Sequence, residues 1–157
     1  MGMTDAIRRN IKRKTPKIDD VKLRDGFPLF SFVELNVNEL CNRTCIFCPR
    51  HDPKVYPNQN IHMDLNLAQE IAKQLEEINF SGIVNISGTG EATLTKYLSS
   101  IVKEFGDRNI HIEIVTNGDK LKPKMIAINA NIICVIIIHT INCKYIRTMH
   151  RFDYSIS

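Results

Sequence analysis

With 157 residues, 43% hydrophobic and 24% charged, the chain has the composition of an ordinary globular domain. A complete eight-stranded α/β barrel takes about 250 residues, so a barrel-type chain of this length supplies only part of one. No apolar run approaches the ~18 to 20 residues of a membrane span, and the first residues lack the apolar core of a signal peptide. A cytoplasmic protein is therefore expected, and in that reducing compartment five cysteines point to metal or redox chemistry and not to a disulfide framework.

The formal charge of +4 gathers near the start, where Arg8, Arg9, Lys12, Arg13, Lys14, Lys17, Lys22 and Arg24 outweigh Asp5, Asp19 and Asp20. Without interleaved aromatics this segment reads as a solvated arm, not as a nucleic-acid surface. Residues 1–29 are taken as this basic extension. Residues 30–139 form the core and 140–157 an atypical tail.

In chain order, Phe30 to Val37 alternates and carries β-formers, which predicts the first strand after the Gly26-Phe27-Pro28 break. Pro49, Pro53 and Pro57 make the stretch to about Ile61 irregular, since each removes a backbone donor. Asp64 is set to cap a helix with Leu67, Ile71, Leu75 and Ile78 on one face. Ile83 to Ile86 is a short strand, Gly88 to Glu91 a glycine-bearing loop, and Leu94, Leu98, Ile101, Val102 and Phe105 the stripe of a second helix. Ile110 to Val115 is a third strand with Thr116-Asn117-Gly118 as its exit turn; a weaker helix covers Lys122 to Ile128 and a fourth strand Ile132 to Ile138. This alternation predicts an α/β fold: a partial (β/α) barrel of about four parallel strand-helix units, buried on both faces. Chemistry in such folds collects at the carboxyl ends of the strands, where each of the three motifs below falls.

Cys41-Asn-Arg-Thr-Cys45-Ile-Phe-Cys48 is CxxxCxxC. A short loop with this spacing can wrap three thiolates around one iron–sulfur cube and leave one iron open. Closed by His51, the same cysteines would instead make a zinc knuckle. Arg50, His51 and His139 could reach the same mouth, although a lone basic residue is more often structural or solvated.

With Phe47 just before the last cysteine and a strand before the first, this segment resembles the signature of the radical S-adenosylmethionine (SAM) superfamily. Ser87-Gly88-Thr89-Gly90-Glu91-Ala92 resembles that family's GGEP motif, with Ala92 where proline is usual, and Thr116-Asn117-Gly118 its TNG turn. The resemblance implies that Cys41, Cys45 and Cys48 ligate a [4Fe–4S] cluster whose open iron takes SAM. It implies that Phe47, Gly88, Thr89, Gly90, Glu91, Thr116 and Asn117 border the cofactor, with the Glu91 carboxylate on the amino group of SAM and a looser loop at Ala92. It further implies a one-electron reductant such as flavodoxin or ferredoxin, cleavage of SAM to a 5′-deoxyadenosyl radical, and hydrogen abstraction from a substrate the sequence does not name.

On the residues alone, Gly88 to Glu91 also reads as a glycine turn with a solvated acid at a helix start, and Asn-Gly as ordinary turn chemistry. The family core usually has six strand-helix units against about four here. The chain therefore reads as truncated, frame-shifted, or dependent on a protein partner to complete its sheet. Two readings compete with the enzyme: a non-catalytic Fe–S or zinc module, and an inactive remnant that keeps the cluster but encloses SAM poorly. Cys134 in the fourth strand reads as core packing, and an auxiliary cluster built on Cys134 and Cys143 is disfavoured because four ligands would be the norm.

Overall fold

The computed structural model of the chain describes Arg8 and residues 23–122, and, as backbone, the strands at 133–141 and 144–150. The basic arm up to residue 22, apart from Arg8, the predicted helix beyond Lys122, and Cys143 lie outside the described residues. A small antiparallel pair, β1 (Leu23–Arg24) with β2 (Phe27–Pro28), precedes the main sheet. The sheet contains β3 (Phe32–Leu35), β4 (Ile83–Ile86), β5 (His111–Thr116), β6 (Ile133–Ile141) and β7 (Lys144–His150), side by side in that order. Strands β3 to β6 run parallel, as the strand-helix alternation predicts, and β7 returns antiparallel along β6.

Helix α1 (Leu65–Glu77) starts where expected, with the Asp64 carboxylate accepting from the Asn66 N–H at 2.7 Å. Its buried stripe differs from the predicted one: Ala68, Ala72 and Leu75 carry it, with Ile71 and Ile78 partly buried, while Leu67 is 52% exposed. Leu67, one residue and about 100° round from Ala68, falls off the contact face. Helix α2 (Leu98–Gly106) buries Leu98, Ile101, Val102 and Phe105 as its spacing predicts, while Leu94 sits before it in a short 3₁₀ turn, Ala92–Leu94.

Both helices pack on one sheet face, against Leu35, Val84, Ile86, Ile112 and Ile114. The opposite face holds Glu34 and the register pair Asn85 and Glu113, whose side chains hydrogen-bond at 3.2 Å. Burial on both faces, expected from sequence, holds for β4 and for Glu113 but fails at β3, where Phe32 and Glu34 are exposed. Strand β3 lies at the margin of the sheet, and none of the described helices covers that side of it.

The tail contributes β7 without a described helix. The edge of β6 is paired along Val135 to Ile141. An open edge is a template for pairing, and an antiparallel strand satisfies it without a crossover. Among the described residues no helix is long and apolar enough to cross a membrane.

Candidate cofactor site

The exits of β3, β4 and β5 lie together at one end of the sheet, and hydrogen bonds join them in a ring. Beyond β3, residues 37–39 are braced by the returning chain: Glu39 N donates to Ile61 O at 2.9 Å and Met63 N to Val37 O at 2.9 Å. The cysteine loop springs from this brace. Asn58 fixes its start by bonding Cys41 twice, accepting from Cys41 N at 2.9 Å and donating to Cys41 O at 3.0 Å.

Cys41, Cys45 and Cys48 are free, half-buried thiols. Cys48 N donates to Cys45 O at 2.9 Å, closing a tight turn, and Pro49–His51 continues as a 3₁₀ turn. Burial raises the pKa of the Cys41 thiol, the nearby Glu91 and Cys45 add to the rise, and the Arg43 backbone N–H and the Arg50 charge oppose it. Between the last two cysteines Ile46 and Phe47 project outward, Phe47 being 58% exposed. His51, the candidate fourth zinc ligand, is exposed, its Nδ1 lying 3.4 Å from Thr44 O.

Arg50 is the buried anchor of the loop. Its Nε donates to Thr89 O at 2.6 Å, Nη1 to Pro57 O at 3.1 Å and to Asn58 Oδ1 at 3.2 Å, and Nη2 to Glu39 Oε2 at 2.8 Å. Its guanidinium also lies 4.8 Å from the Tyr56 ring centroid, and the Tyr56 hydroxyl donates to the same Glu39 oxygen at 2.8 Å. Of the two readings open to a lone basic residue, the structural one describes Arg50.

The Gly88–Glu91 loop fits against the exit of β3. Gly88 has φ +125°, and a Cβ there would lie 2.5 Å from Asn36 Oδ1; a Cβ on Gly90 would lie 1.9 Å from Asn38 Oδ1 and 2.1 Å from Asn38 O. The close approach that these glycines permit is therefore to the chain's own asparagines. Asn38 Nδ2 donates to Glu91 O at 2.9 Å, and Glu91 N donates to Leu40 O at 2.8 Å. Thr89 bonds Tyr56 at 3.1 Å through its hydroxyl.

Glu91 is buried, not solvated. Its Oε1 accepts from Thr93 N at 3.0 Å, from Thr93 Oγ1 at 2.6 Å and from Thr116 Oγ1; its Oε2 accepts from Asn117 N at 2.7 Å. Each carboxylate oxygen offers about two acceptor sites; Oε1, with three donors, is filled, and Oε2, with one, has room for another. The looser loop expected at Ala92 is not found. Glu91 caps the 3₁₀ turn that Ala92 opens, and Ala92 is buried.

Thr116 and Asn117, foreseen as cofactor neighbours, are engaged with the protein. The Thr116 hydroxyl also accepts from Gly118 N at 3.0 Å; Asn117 Oδ1 accepts from Asp119 N at 3.0 Å and its Nδ2 donates to Asn42 Oδ1 at 2.9 Å. Asp119 Oδ2 accepts from Arg43 Nε at 2.8 Å and from Asn42 Nδ2 at 2.9 Å, while Oδ1 pairs with Arg43 Nη2. The Arg43 guanidinium, with Asn42 assisting, holds the Asp119 carboxyl below the usual carboxylate range against the opposing effect of burial.

Asn38, Glu39, Arg43, Tyr56, Asn58 and Asp119 were not singled out in the sequence. Their only signal there is the density of asparagine around the first cysteine, Asn36, Asn38 and Asn42, a residue type that bonds nearby backbone in turns. Among the described residues no group of three or more His, Cys, Asp or Glu side chains is gathered to hold a metal ion. The donor chemistry nonetheless fits an iron–sulfur cluster: three soft thiols within eight residues of one loop at the strand carboxyl ends. Cys134 lies in β6 in register with Glu113, away from these thiols in the sheet order.

The Radical SAM superfamily matches residues 35–143. The chain is 37% identical over 99 residues to an S-adenosyl-L-methionine-dependent 2-deoxy-scyllo-inosamine dehydrogenase of Niallia circulans, covering 61% of this chain and 38% of that protein. It is 30% identical over 110 residues to an S-adenosylmethionine-dependent nucleotide dehydratase of Flammeovirga pacifica, covering 69% of this chain and 37% of that one. Among solved structures it resembles BtrN in complex with AdoMet and 2-DOIA, with a TM-score of 0.58 at 31% identity over 66% of this chain and 42% of that one. Selenomethionine BtrN in an open conformation gives a TM-score of 0.54 at 31% identity, over 66% of this chain and 46% of that one. The chain thus spans less than two fifths of the length of these curated relatives.

Proposed function

From the premise that the chain belongs to the radical SAM superfamily, we propose that it binds a [4Fe–4S] cluster through Cys41, Cys45 and Cys48 and SAM beside it, as the cofactor-binding part of a radical enzyme. The observation that carries this reading is that the exits of three successive parallel strands, each bearing one of the family's motifs, are tied together around the cysteine loop. When bound, the two cofactors supply one-electron cleavage of the SAM sulfonium and a radical able to abstract hydrogen from a substrate.

The protein's own contribution is placement. Asn58 and Arg50 set the two ends of the cysteine loop. Glu91 keeps acceptor capacity on Oε2 for an ammonium group, in a position fixed by Thr93, Thr116 and Asn117. Phe47, exposed between Cys45 and Cys48, offers a ring face to cover a bound nucleoside and exclude water. One of the two curated relatives is a dehydrogenase and the other a dehydratase. What they share is dependence on SAM, which supports the common cofactor step and selects no substrate. A cytoplasmic setting with a flavodoxin or ferredoxin as electron donor suits an oxygen-labile cluster.

The test is anaerobic reconstitution with iron and sulfide, followed by electron paramagnetic resonance of the reduced protein with and without SAM. The reading expects about four irons per chain, a [4Fe–4S]⁺ signal that SAM shifts, and loss of both in Cys41→Ala, Cys45→Ala and Cys48→Ala. A cluster that ignores SAM would leave a remnant or an electron-transfer module. Tight zinc in place of iron would overturn the proposal.

A further inference from the structure

The ring of strand-exit loops closes on the exposed side through four residues. The β3 exit is joined to the β4 exit by Asn38 and Leu40, and the β4 exit to the β5 exit by the Glu91 carboxylate. The β5 exit returns to the cysteine loop, across β4, by Asn117 to Asn42 and by Asp119 to Asn42 and Arg43. Asn42 and Arg43 are two of the three residues between Cys41 and Cys45. Their side chains turn to the β5 exit while the Arg43 backbone N–H bonds the Cys41 thiol, and together they set the course of the chain from the first thiol to the second.

We propose that Asp119, with Asn117, is a positioning residue for the cluster: by gripping Asn42 and Arg43 it fixes where Cys41 and Cys45 stand relative to each other. The inference rests on the cluster reading above and deepens it. The geometry suits the task. A planar guanidinium on both oxygens of one carboxylate fixes orientation as well as distance, which a point charge such as lysine does not. The Asn42 amide accepts from Asn117 and donates to Asp119, so the two contacts constrain the loop backbone from adjacent residues. Groups that orient metal ligands from outside the coordination sphere typically change metal affinity 10-fold to 100-fold when removed.

Two measurements separate this role from general scaffolding. In the metal-free protein, Asp119→Ala should speed amide hydrogen exchange in residues 42–47 while leaving β3, β4 and β5 as protected as before. In the reconstituted protein, the same variant should lose iron to a chelator roughly 10-fold faster, with Arg43→Lys intermediate because it keeps the charge and loses the fork. Unchanged exchange in 42–47, or faster exchange with unchanged iron loss, overturns the proposal. Should Asp119→Ala loosen the whole sheet, Asn42→Ala, which leaves the Arg43–Asp119 pair in place, carries the same expectation with a smaller change. If the wild-type protein takes up no iron at all, the cluster reading fails, while the exchange data still report whether the grip exists.

Discussion

Two arginines serve the cysteine loop, Arg43 inside it and Arg50 just beyond it, each paired with a carboxylate, and they stand in opposite settings. Arg50 has a side chain only 2% exposed and spends its guanidinium on four acceptors from three segments; Arg43 is 24% exposed and gives its fork to Asp119, itself 35% exposed. In the first, loss of the cation strands acceptors that water cannot easily reach. In the second, water and salt replace much of what is lost. The same pair of charges is therefore an anchor for the fold just beyond the loop and a local guide inside it.

The comparison breaks most sharply at Arg50. Arg50→Ala should cost about 3 kcal/mol, the low end for breaking a buried pair because Glu39 keeps some contact with water. Urea denaturation of the metal-free protein would read this, and Arg50→Lys should recover only part of it. Next comes Gly90→Ala, whose new methyl would sit 1.9 Å from Asn38 Oδ1. The loop must then move off the β3 exit, at a cost of about 1–3 kcal/mol, with faster exchange of the Glu91 and Asn117 amides as the local sign. Asp119→Ala should cost only about 0.2–1 kcal/mol globally; a loss as large as that of Arg50→Ala would abolish the contrast.

The smallest effect is in pH. Because Arg43 depresses the Asp119 pKa in the folded protein, the grip is fully present above the unfolded carboxyl value of about 3.9 and is lost as pH falls through the lower folded value. Side-chain N–H resonances of Asn42 and Arg43, followed by nuclear magnetic resonance from about pH 6 to about pH 3, should hold their positions down to about pH 4 and move below it. Movement at higher pH would mean that Asp119 is not held by Arg43.

The order of elements was legible from local chemistry. The Asp64 cap, the Leu98-Ile101-Val102-Phe105 stripe and the alternation of Ile110 to Val115 each act over a few residues, and the structure keeps them. So was the family, because three motifs fall after three strands. Which side chains serve the cofactor and which serve the loops was not legible. A GTGE segment reads the same whether its glycines approach a ligand or, as here, Asn36 and Asn38.

Among the described residues, the sequence alone determined the strand-helix order of the core, its parallel strands and the donor chemistry of Cys41, Cys45 and Cys48, since periodicity, caps and thiols are local properties. Only the tertiary structure decided that Arg50 is buried, that Glu91 lies beneath Thr116 and Asn117, and that Asp119 holds the residues between two cysteines. Those facts depend on contacts between residues 25 to 77 positions apart, a separation over which hydrophobic pattern and turn chemistry carry no register.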